Sequence, residues 1–270
     1  MAAYAEQLLV CTGQRDWTSR IEDDGQEHSW GDLVRGLKAL LGRGGRFADP
    51  YHNILITNSS FAPSSQTSPA ASAFLFPSFK YFPSIPTQPS SENTDLSTFV
   101  QAHLLPTKAR HGGPSRRPEL ASTLPAAVDL RHSPVILICG HGGRDMRCGV
   151  MAPVLETEFQ RVLHEKGFAA ADGEDAPVDR PDRAHVGLIS HIGGHKYAGN
   201  VIVYLPPGMT VVGEDASSVV PHPLAGKGIW YGRIEPKHVQ GVVEETILGG
   251  RVLADHFRGG VDRESGILRL

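Results

Sequence analysis

Two pairs of residues that bind soft metals occur in the second half of the chain. Cys139 and Cys148 bracket GHGGRDMR, which gives the spacing C-x8-C, and His191 and His195 bracket IGG, which gives H-x3-H. Thiolates and imidazoles are the donors found in zinc sites and in iron–sulfur centres. The four residues could hold one metal centre if the fold brings the two pairs together.

Each pair follows an apolar segment that is typical of a buried strand. PVILIC ends at Cys139, and AHVGLISH ends at His191. Neighbouring parallel strands end at the same edge of a sheet, which is where α/β proteins bind ligands. We therefore expect both pairs at one edge. Glycines flank the pairs at Gly140, Gly142, Gly143, Gly193 and Gly194. Their pliable backbone would let the main chain close around a bulky ligand.

From the residues alone, four interpretations stay open. An iron–sulfur cluster fits the donors, although the Cys-x-His pairs of Rieske centres are absent. A structural Cys2His2 zinc site also fits, but its cysteines usually stand two to four residues apart. A thiol enzyme could use Cys139 or Cys148, but a phosphatase-type C-x5-R loop fails because Asp145 occupies the arginine position. The fourth interpretation is coincidence, with two core cysteines and two solvated histidines.

Polar residues near the four ligands are candidates for hydrogen bonds or charge compensation at the centre: His141, Arg144, Asp145, Arg147 and Lys196. A positive side chain beside an iron–sulfur cluster raises its reduction potential. Alternatively, Asp145 could pair with an arginine and simply fix the loop. Cys11 ends the first predicted strand with no second ligand pair beside it, so we expect a buried core cysteine there.

Composition and charge argue against several classes of protein. The 270 residues carry a formal net charge of −3, which disfavours nucleic acid or an anionic membrane as the main partner. No apolar run approaches the ~20 residues of a membrane span. Three cysteines are too few for a disulfide framework. The first residues, MAAYAEQLLVCTGQRDW, are typical of neither a signal peptide nor a transit peptide, and we allow for a missing upstream segment.

Hydrophobic periodicity predicts an α/β fold with two thioredoxin-like units. Residues 133–270 show the order strand–helix–strand–strand–strand–helix, which is typical of a thioredoxin-like domain. Residues 1–105 show a shorter version of this order and are expected to form a degenerate thioredoxin-like domain, with a mobile loop at 62–92. Residues 106–132 mix proline, glycine and basic residues without periodicity, which predicts an interdomain linker.

Four segments resemble the sucrase/ferredoxin-like family: ICGHGGRDMRCGVMAPVL, HIGGHKYAGNVIVY, GIWYGRIEPKHV and LLVCTGQRDWTSRIE. The resemblance extends from about residue 4 to residue 260. It implies that the C-terminal unit is a thioredoxin-like ferredoxin domain. It also implies a [2Fe-2S] cluster, with these ligands: Cys139, Cys148, His191 and His195.

The four-ligand set predicts electron transfer, redox sensing or redox quality control with an unidentified redox partner protein, and we favour an electron carrier or redox protein over an enzyme. The resemblance implies a mitochondrial location, and the cytoplasm is the alternative. The alternative function is a non-redox binding protein whose fold is stabilised by a Cys2His2 zinc site. Glycoside hydrolysis, which the word sucrase suggests, has no support because the sequence shows no carboxylate pair in a recognisable site.

Overall fold

We analysed a computed structural model of the chain. The structure describes residues 3–25, 29–64, 70–87, 95–108, 112–170, 179–194, 198–212, 218–262 and 266–268. Within these ranges it has a mixed α/β fold with one sheet of twelve strands and a separate sheet of two strands.

The strands of the N-terminal half are β1 (Glu6–Cys11), β2 (Ile54–Ser59), β3 (Ala70–Phe76), β4 (Lys80–Pro86) and β5 (Val128–Asp129). Those of the C-terminal half in the large sheet are β6 (Val135–Cys139), β7 (Ala169–Ala170), β8 (Arg183–Ile189), β9 (Val201–Leu205), β12 (Lys227–Tyr231), β13 (Phe257–Asp262) and β14 (Gly266–Leu268). The small sheet pairs β10 (Thr210–Val212) with β11 (Val219–Pro221).

The α-helices of the described residues are α1 (Trp30–Leu41), α2 (Leu96–Phe99), α3 (Met146–Glu165) and α4 (Pro236–Gly241). α2 and α4 continue into π-helical turns at Val100–Leu104 and Val242–Leu248. Side-chain caps fix the starts of the two long helices. Ser29 accepts the N–H of Gly31 at the start of α1, and Asp145 accepts the N–H of Arg147 at the start of α3. Among the described residues, no helix has both the length and the apolar character that a bilayer crossing requires.

Both halves of the large sheet have the same strand order. β1 lies between the parallel β2 and the antiparallel β3, and β4 follows β3. Likewise, β6 lies between the parallel β8 and the antiparallel β9, and β12 follows β9. α1 connects β1 to β2, and α3 lies between β6 and β8 in the chain. In the C-terminal half, β6, α3, β8, β9, β12 and α4 follow the predicted order of elements, but β7, β10, β11, β13 and β14 were not predicted.

The two halves meet at the carboxyl ends of their parallel strands. The last residue of β2, Ser59, pairs with the last residue of β8, Ile189, in antiparallel orientation. One row of paired residues therefore crosses the junction: Cys11, Ser59, Ile189 and Cys139. Because adjacent strands are about 4.8 Å apart, the backbones of Cys11 and Cys139 are about 14 Å apart. The sheet is continuous through the junction, and the predicted domain boundaries stay predictions.

The expected mobile loop at 62–92 is wrong for residues 70–86, which form β3 and β4. β3 pairs with β1 through Leu8 and Leu75, and β4 pairs with β3 through Phe74 and Tyr81. Buried aromatic rings hold this hairpin in the sheet, and their burial outweighs the turn-forming prolines and serines around it. The expected linker also contains β5, in which Val128 pairs with Tyr81 of β4.

The sheet buries apolar side chains on both of its faces. One face packs against the helices, with Leu33 of α1, Leu155 of α3 and Val239 of α4 in the same core. The other face is aromatic and contains these side chains: Phe74, Phe76, Tyr81, Tyr204 and Trp230. Cys139 and Cys148 belong to the aromatic face. Their sulfur atoms therefore lie in apolar surroundings.

Candidate functional site

The cysteine loop, residues 140–145, brings the end of a strand close to the start of a helix. Cys139 is the last residue of β6, and Cys148 lies in the first turn of α3. Both thiols are buried, and each is the largest cause of the shift in the other's pKa. The backbone N–H groups of Arg144 and Asp145 both donate to the carbonyl oxygen of His141, which closes the turn. The C-x8-C spacing is thus one tight loop between two rigid elements.

The histidine loop, residues 190–200, begins beside Cys139. Cys139 pairs with Ile189 at the end of β8, and the side chain of His191 is near enough to the Cys139 thiol to lower its pKa. The structure therefore brings Cys139, Cys148 and His191 together. His195 and Lys196, the other residues predicted on this loop, lie outside the described residues.

The three side chains form a thiol–thiol–imidazole group. In the ranges that the structure describes, no set of three or more His, Cys, Asp and Glu side chains is arranged as the ligands of a metal ion. Metal binding by these residues therefore stays a prediction.

The surroundings of Cys139 favour its thiolate. The Cys148 thiol, which donates to Cys139 Sγ, lowers the pKa of Cys139 well below its usual range, although burial opposes the shift. Hydrogen bonds from His191 and from the backbone N–H of Ile192 lower this pKa further. The pKa of Cys148 is raised, because its proton is held by the bond to Cys139 and because the thiol is buried. The thiolate is the form in which cysteine binds metals.

His141 connects the cysteine loop to two other segments. Its Nδ1 accepts the backbone N–H of His191 at 2.9 Å. Its Nε2 donates to the carbonyl oxygen of Thr18 at 2.8 Å and lies 3.1 Å from that of Trp17. These partners assign the neutral tautomer with the proton on Nε2. Both ring nitrogens are thus engaged by backbone groups, and a role of His141 in offsetting cluster charge stays a prediction.

The charged residues of the cysteine loop hold the loop in place. Asp145 accepts from Nε and Nη2 of Arg147 at 3.0 and 2.8 Å, in addition to capping α3. Nη1 of Arg144 donates to the carbonyl oxygen of Ser19 at 3.2 Å. The sequence left open whether Asp145 pairs with an arginine and fixes the loop, and the structure contains this pairing.

Sequence reasoning missed the cover segment, residues 15–19, which lies over the cysteine loop. The N–H of Gly143 donates to both carboxylate oxygens of Asp16 at 3.1 Å. Arg15 forms an ion pair with Glu156 of α3. The segment follows β1, so it reaches the site because the two halves meet at the carboxyl ends of their strands. No spacing in the sequence signals that contact.

Asn200 was also missed, and it links the histidine loop to the first cysteine. Its carbonyl oxygen accepts the N–H of Cys139 at 3.0 Å, and its Nδ2 donates to the carbonyl oxygen of Gly194 at 3.2 Å. Its Oδ1 accepts a hydrogen bond from Nη1 of Arg258. The side chain is fully buried. Asn200 therefore fixes both ends of the stretch that contains His195.

Two of the flanking glycines make room for protein atoms rather than for a ligand. An added Cβ at Gly143 would lie 2.3 Å from the carbonyl oxygen of Trp17. At Gly194, whose φ is +72°, it would lie 2.4 Å from Nη2 of Arg258. Our expectation that these glycines accommodate a bulky ligand is wrong at both positions. Gly193, with φ +84°, has open space where a Cβ would stand.

Cys11 is a buried core cysteine, as predicted. It is fully buried, and burial raises the pKa of its thiol to about 12. Hydrogen bonds with Ser72 and Ser59 oppose this shift. With about 14 Å between its backbone and that of Cys139, Cys11 is too far away to share a centre with it.

The fold and the site define a mixed α/β protein with two buried thiols beside an imidazole where two similar halves of a sheet meet. The sucrase/ferredoxin-like family model matches residues 1–259. The chain belongs to this family, and the resemblance in its motifs is confirmed.

The chain is similar to several curated fungal proteins. It is 30% identical over 226 residues to altered inheritance of mitochondria protein 32 of Debaryomyces hansenii, covering 80% of this chain and 69% of that protein. It is 38% identical over 182 residues to the Clavispora lusitaniae protein of the same name, covering 61% and 52%. Actin patches distal protein 1 of Saccharomyces cerevisiae is 33% identical over 132 residues, covering 49% and 35%. The chain thus spans about half of the length of the Clavispora protein.

Proposed function

We propose that the protein binds a 2Fe-2S cluster through Cys139, Cys148, His191 and His195 and acts in electron transfer or redox sensing. The observation that carries this proposal is the contact of two buried thiols with an imidazole, next to the loop that contains His195. The name of the family, which includes ferredoxin, supports the same chemistry.

The residues fit the cluster in the chemistry of their donors. Iron in such clusters is bound by cysteine thiolates and, in some proteins, by histidine. Cys139 is favoured as a thiolate, and both Cys148 and His191 contact it. When bound, the cluster would supply transfer of one electron to or from a partner protein.

The residues around the ligands would position them and exclude water. His141 holds the backbone of His191, and Asn200 holds the backbone of Cys139 and the carbonyl group of Gly194. The aromatic face of the sheet surrounds the two thiols with apolar side chains. Such surroundings limit solvent access, which is one of the factors that set a reduction potential.

Strand order supports a thioredoxin-like C-terminal unit. The strand order in this half is β12-β9-β6-β8, in which β8 is parallel to β6 while β9 and β12 are antiparallel to their neighbours. We propose that this is the sheet of a thioredoxin-like unit. The order β4-β3-β1-β2 supports a related N-terminal unit. That unit carries only Cys11 at the position equivalent to Cys139, so we propose that it has no cluster of its own.

A mitochondrial location is supported by the name of the Debaryomyces and Clavispora proteins, which refers to the inheritance of mitochondria. The cytoplasm is the alternative location. The partner we propose is another redox protein, since the cluster carries one electron and has to receive it and pass it on.

Iron and sulfide analysis of anaerobically purified protein tests the cluster. We expect a coloured protein with about two iron and two sulfide ions per chain, and an electron paramagnetic resonance signal on reduction. Cys139→Ala and Cys148→Ala should abolish both. Cys11→Ala is the matched control, because Cys11 is buried in the same row of the sheet and should be dispensable for the cluster. Colourless protein with one zinc ion per chain would instead support the structural Cys2His2 zinc site.

A further inference from the structure

We propose that Arg258, on β13, positions the histidine loop and raises the reduction potential of the cluster. The proposal rests on the proposed function, and it concerns a residue outside all the ligand segments. Its basis is the path of the arginine side chain, which runs from β13 onto the loop that contains His195.

Two glycines let the side chain of Arg258 reach the loop. An added Cβ at Gly232 would lie 2.5 Å from Cδ of Arg258, so the aliphatic part of the arginine lies directly on that backbone. An added Cβ at Gly194 would lie 2.4 Å from Nη2, 3.0 Å from Cζ and 3.2 Å from Nη1. The guanidinium group therefore lies against the residue that directly precedes His195.

The arginine also fixes the orientation of the Asn200 amide. Nη1 of Arg258 donates to Oδ1 of Asn200, which leaves the amide Nδ2 to donate to the carbonyl oxygen of Gly194. An amide has one acceptor end and one donor end, so the donor from Arg258 determines which end faces Gly194. The carbonyl group of Asn200 accepts the N–H of Cys139 at 3.0 Å. Arg258 therefore bonds to a residue that contacts both ligand loops, through its side-chain amide at Gly194 and through its backbone carbonyl at Cys139.

The charge of Arg258 favours the reduced state of the cluster. An arginine stays protonated throughout the pH range of proteins, so Arg258 carries a positive charge at the loop. Reduction adds one negative charge to the cluster. A cation held beside the ligand loop stabilises that added charge, so the potential is higher with the arginine than without it.

Redox titration of the cluster-loaded full chain tests the charge effect. We compare wild type with Arg258→Met, which removes the charge, and Arg258→Lys, which keeps it. Arg251→Met is the control, because Arg251 is an exposed arginine of the same half that pairs with Glu245. We expect a more negative potential in Arg258→Met alone. An equal potential in Arg258→Met and wild type overturns the charge effect. Should Arg258→Met not fold, Arg258→Gln takes its place with the same two outcomes.

Backbone hydrogen exchange in residues 194–200 of the metal-free chain tests the positioning effect without the cluster. We expect Arg258→Met to exchange faster there than wild type, and Arg251→Met to match wild type. Unchanged exchange in Arg258→Met overturns the positioning effect. The two proposals fail separately: a wild-type protein without iron overturns the proposed function, while the exchange experiment still decides the role of Arg258.

Discussion

His141 Nδ1 accepts the backbone N–H of His191 at 2.9 Å, and this hydrogen bond joins the two ligand loops directly. The opposite side of the same ring is held by the carbonyl groups of Trp17 and Thr18 in the N-terminal half. One buried imidazole thus aligns three segments that are far apart in the sequence. The relative position of the first cysteine and the first histidine depends on it.

Replacement of His141 by alanine should therefore destabilise the whole protein. The change leaves buried backbone groups without partners and creates a cavity, and we expect a loss of about 2–4 kcal/mol in the free energy of unfolding. Urea denaturation of the metal-free chain measures it. His164→Ala is the control, because His164 is exposed on α3 and its loss should change stability by less than about 0.5 kcal/mol. Equal stability of the two variants would contradict the linking role.

The Cys139–Cys148 pair should ionise at lower pH than an ordinary thiol. The hydrogen bond from Cys148 lowers the pKa of Cys139, so thiolate absorbance in the metal-free chain should rise below pH ~8.5. Cys148→Ala removes the donor and should move the rise to higher pH. Cys148→Ser keeps a donor and should move it less. Cys11, with its pKa of about 12, should not contribute, so Cys11→Ala should leave the curve unchanged. A midpoint that is insensitive to Cys148→Ala would refute the assigned cause.

His103 should make stability depend on pH. Burial first, and then the charges of Arg116 and Lys80, lower the pKa of His103 to about 4 from its ordinary value of 6.5. The unfolded chain therefore binds the proton more readily than the folded chain. The stabilising contribution is complete above pH 6.5 and is lost as the pH falls from 6.5 to 4.

His103→Gln removes this titration. Between pH 7 and pH 4, the variant should lose about 2 kcal/mol less unfolding free energy than wild type, allowing for the partial exposure of the ring. Urea denaturation at several pH values measures the difference, with His164→Gln as the exposed control. Parallel pH profiles for His103→Gln and wild type would be inconsistent with this assignment.

Glycine-to-alanine changes should have opposite effects at two positions. Gly143→Ala places a Cβ 2.3 Å from the carbonyl oxygen of Trp17, so the cover segment has to move away from the cysteine loop. We expect a loss of about 2–3 kcal/mol. Gly241→Ala is the contrast, because its Cβ would lie 3.8 Å from Leu253 within a helix, and we expect a gain of about 0.5–1 kcal/mol. Thermal unfolding ranks the variants, and a stable Gly143→Ala protein would argue against the tight contact.

Much of the framework was predictable because it depends on local sequence. The apolar run PVILIC predicted a buried strand that ends at Cys139, and the periodic residues after Cys148 predicted α3. At 70–86 the proline-rich sequence led to the prediction of a mobile loop, and pairing of β3 with β1 overrides that local preference.

The residues that support the site were harder to predict. Asn200 contacts the histidine loop through its side-chain amide, and the side chain of Arg258 passes over two glycines to reach the same loop. Neither type of contact leaves a spacing pattern in the sequence. The cover segment depends on a junction, Ser59 with Ile189, that lies between strands from different halves. Long-range pairings of this kind follow from tertiary packing rather than from local periodicity.

The junction at Ser59 and Ile189 also makes folding and ligand retention interdependent. The cover segment belongs to the N-terminal half, yet it accepts hydrogen bonds from the cysteine loop of the C-terminal half. By mass action, any group bound only by the folded site stabilises every element needed to form that site. A chain with the group bound should therefore resist unfolding in both halves. A destabilising mutation in β1 or β2 should in turn cause release of the bound group, although the altered residue is far from it.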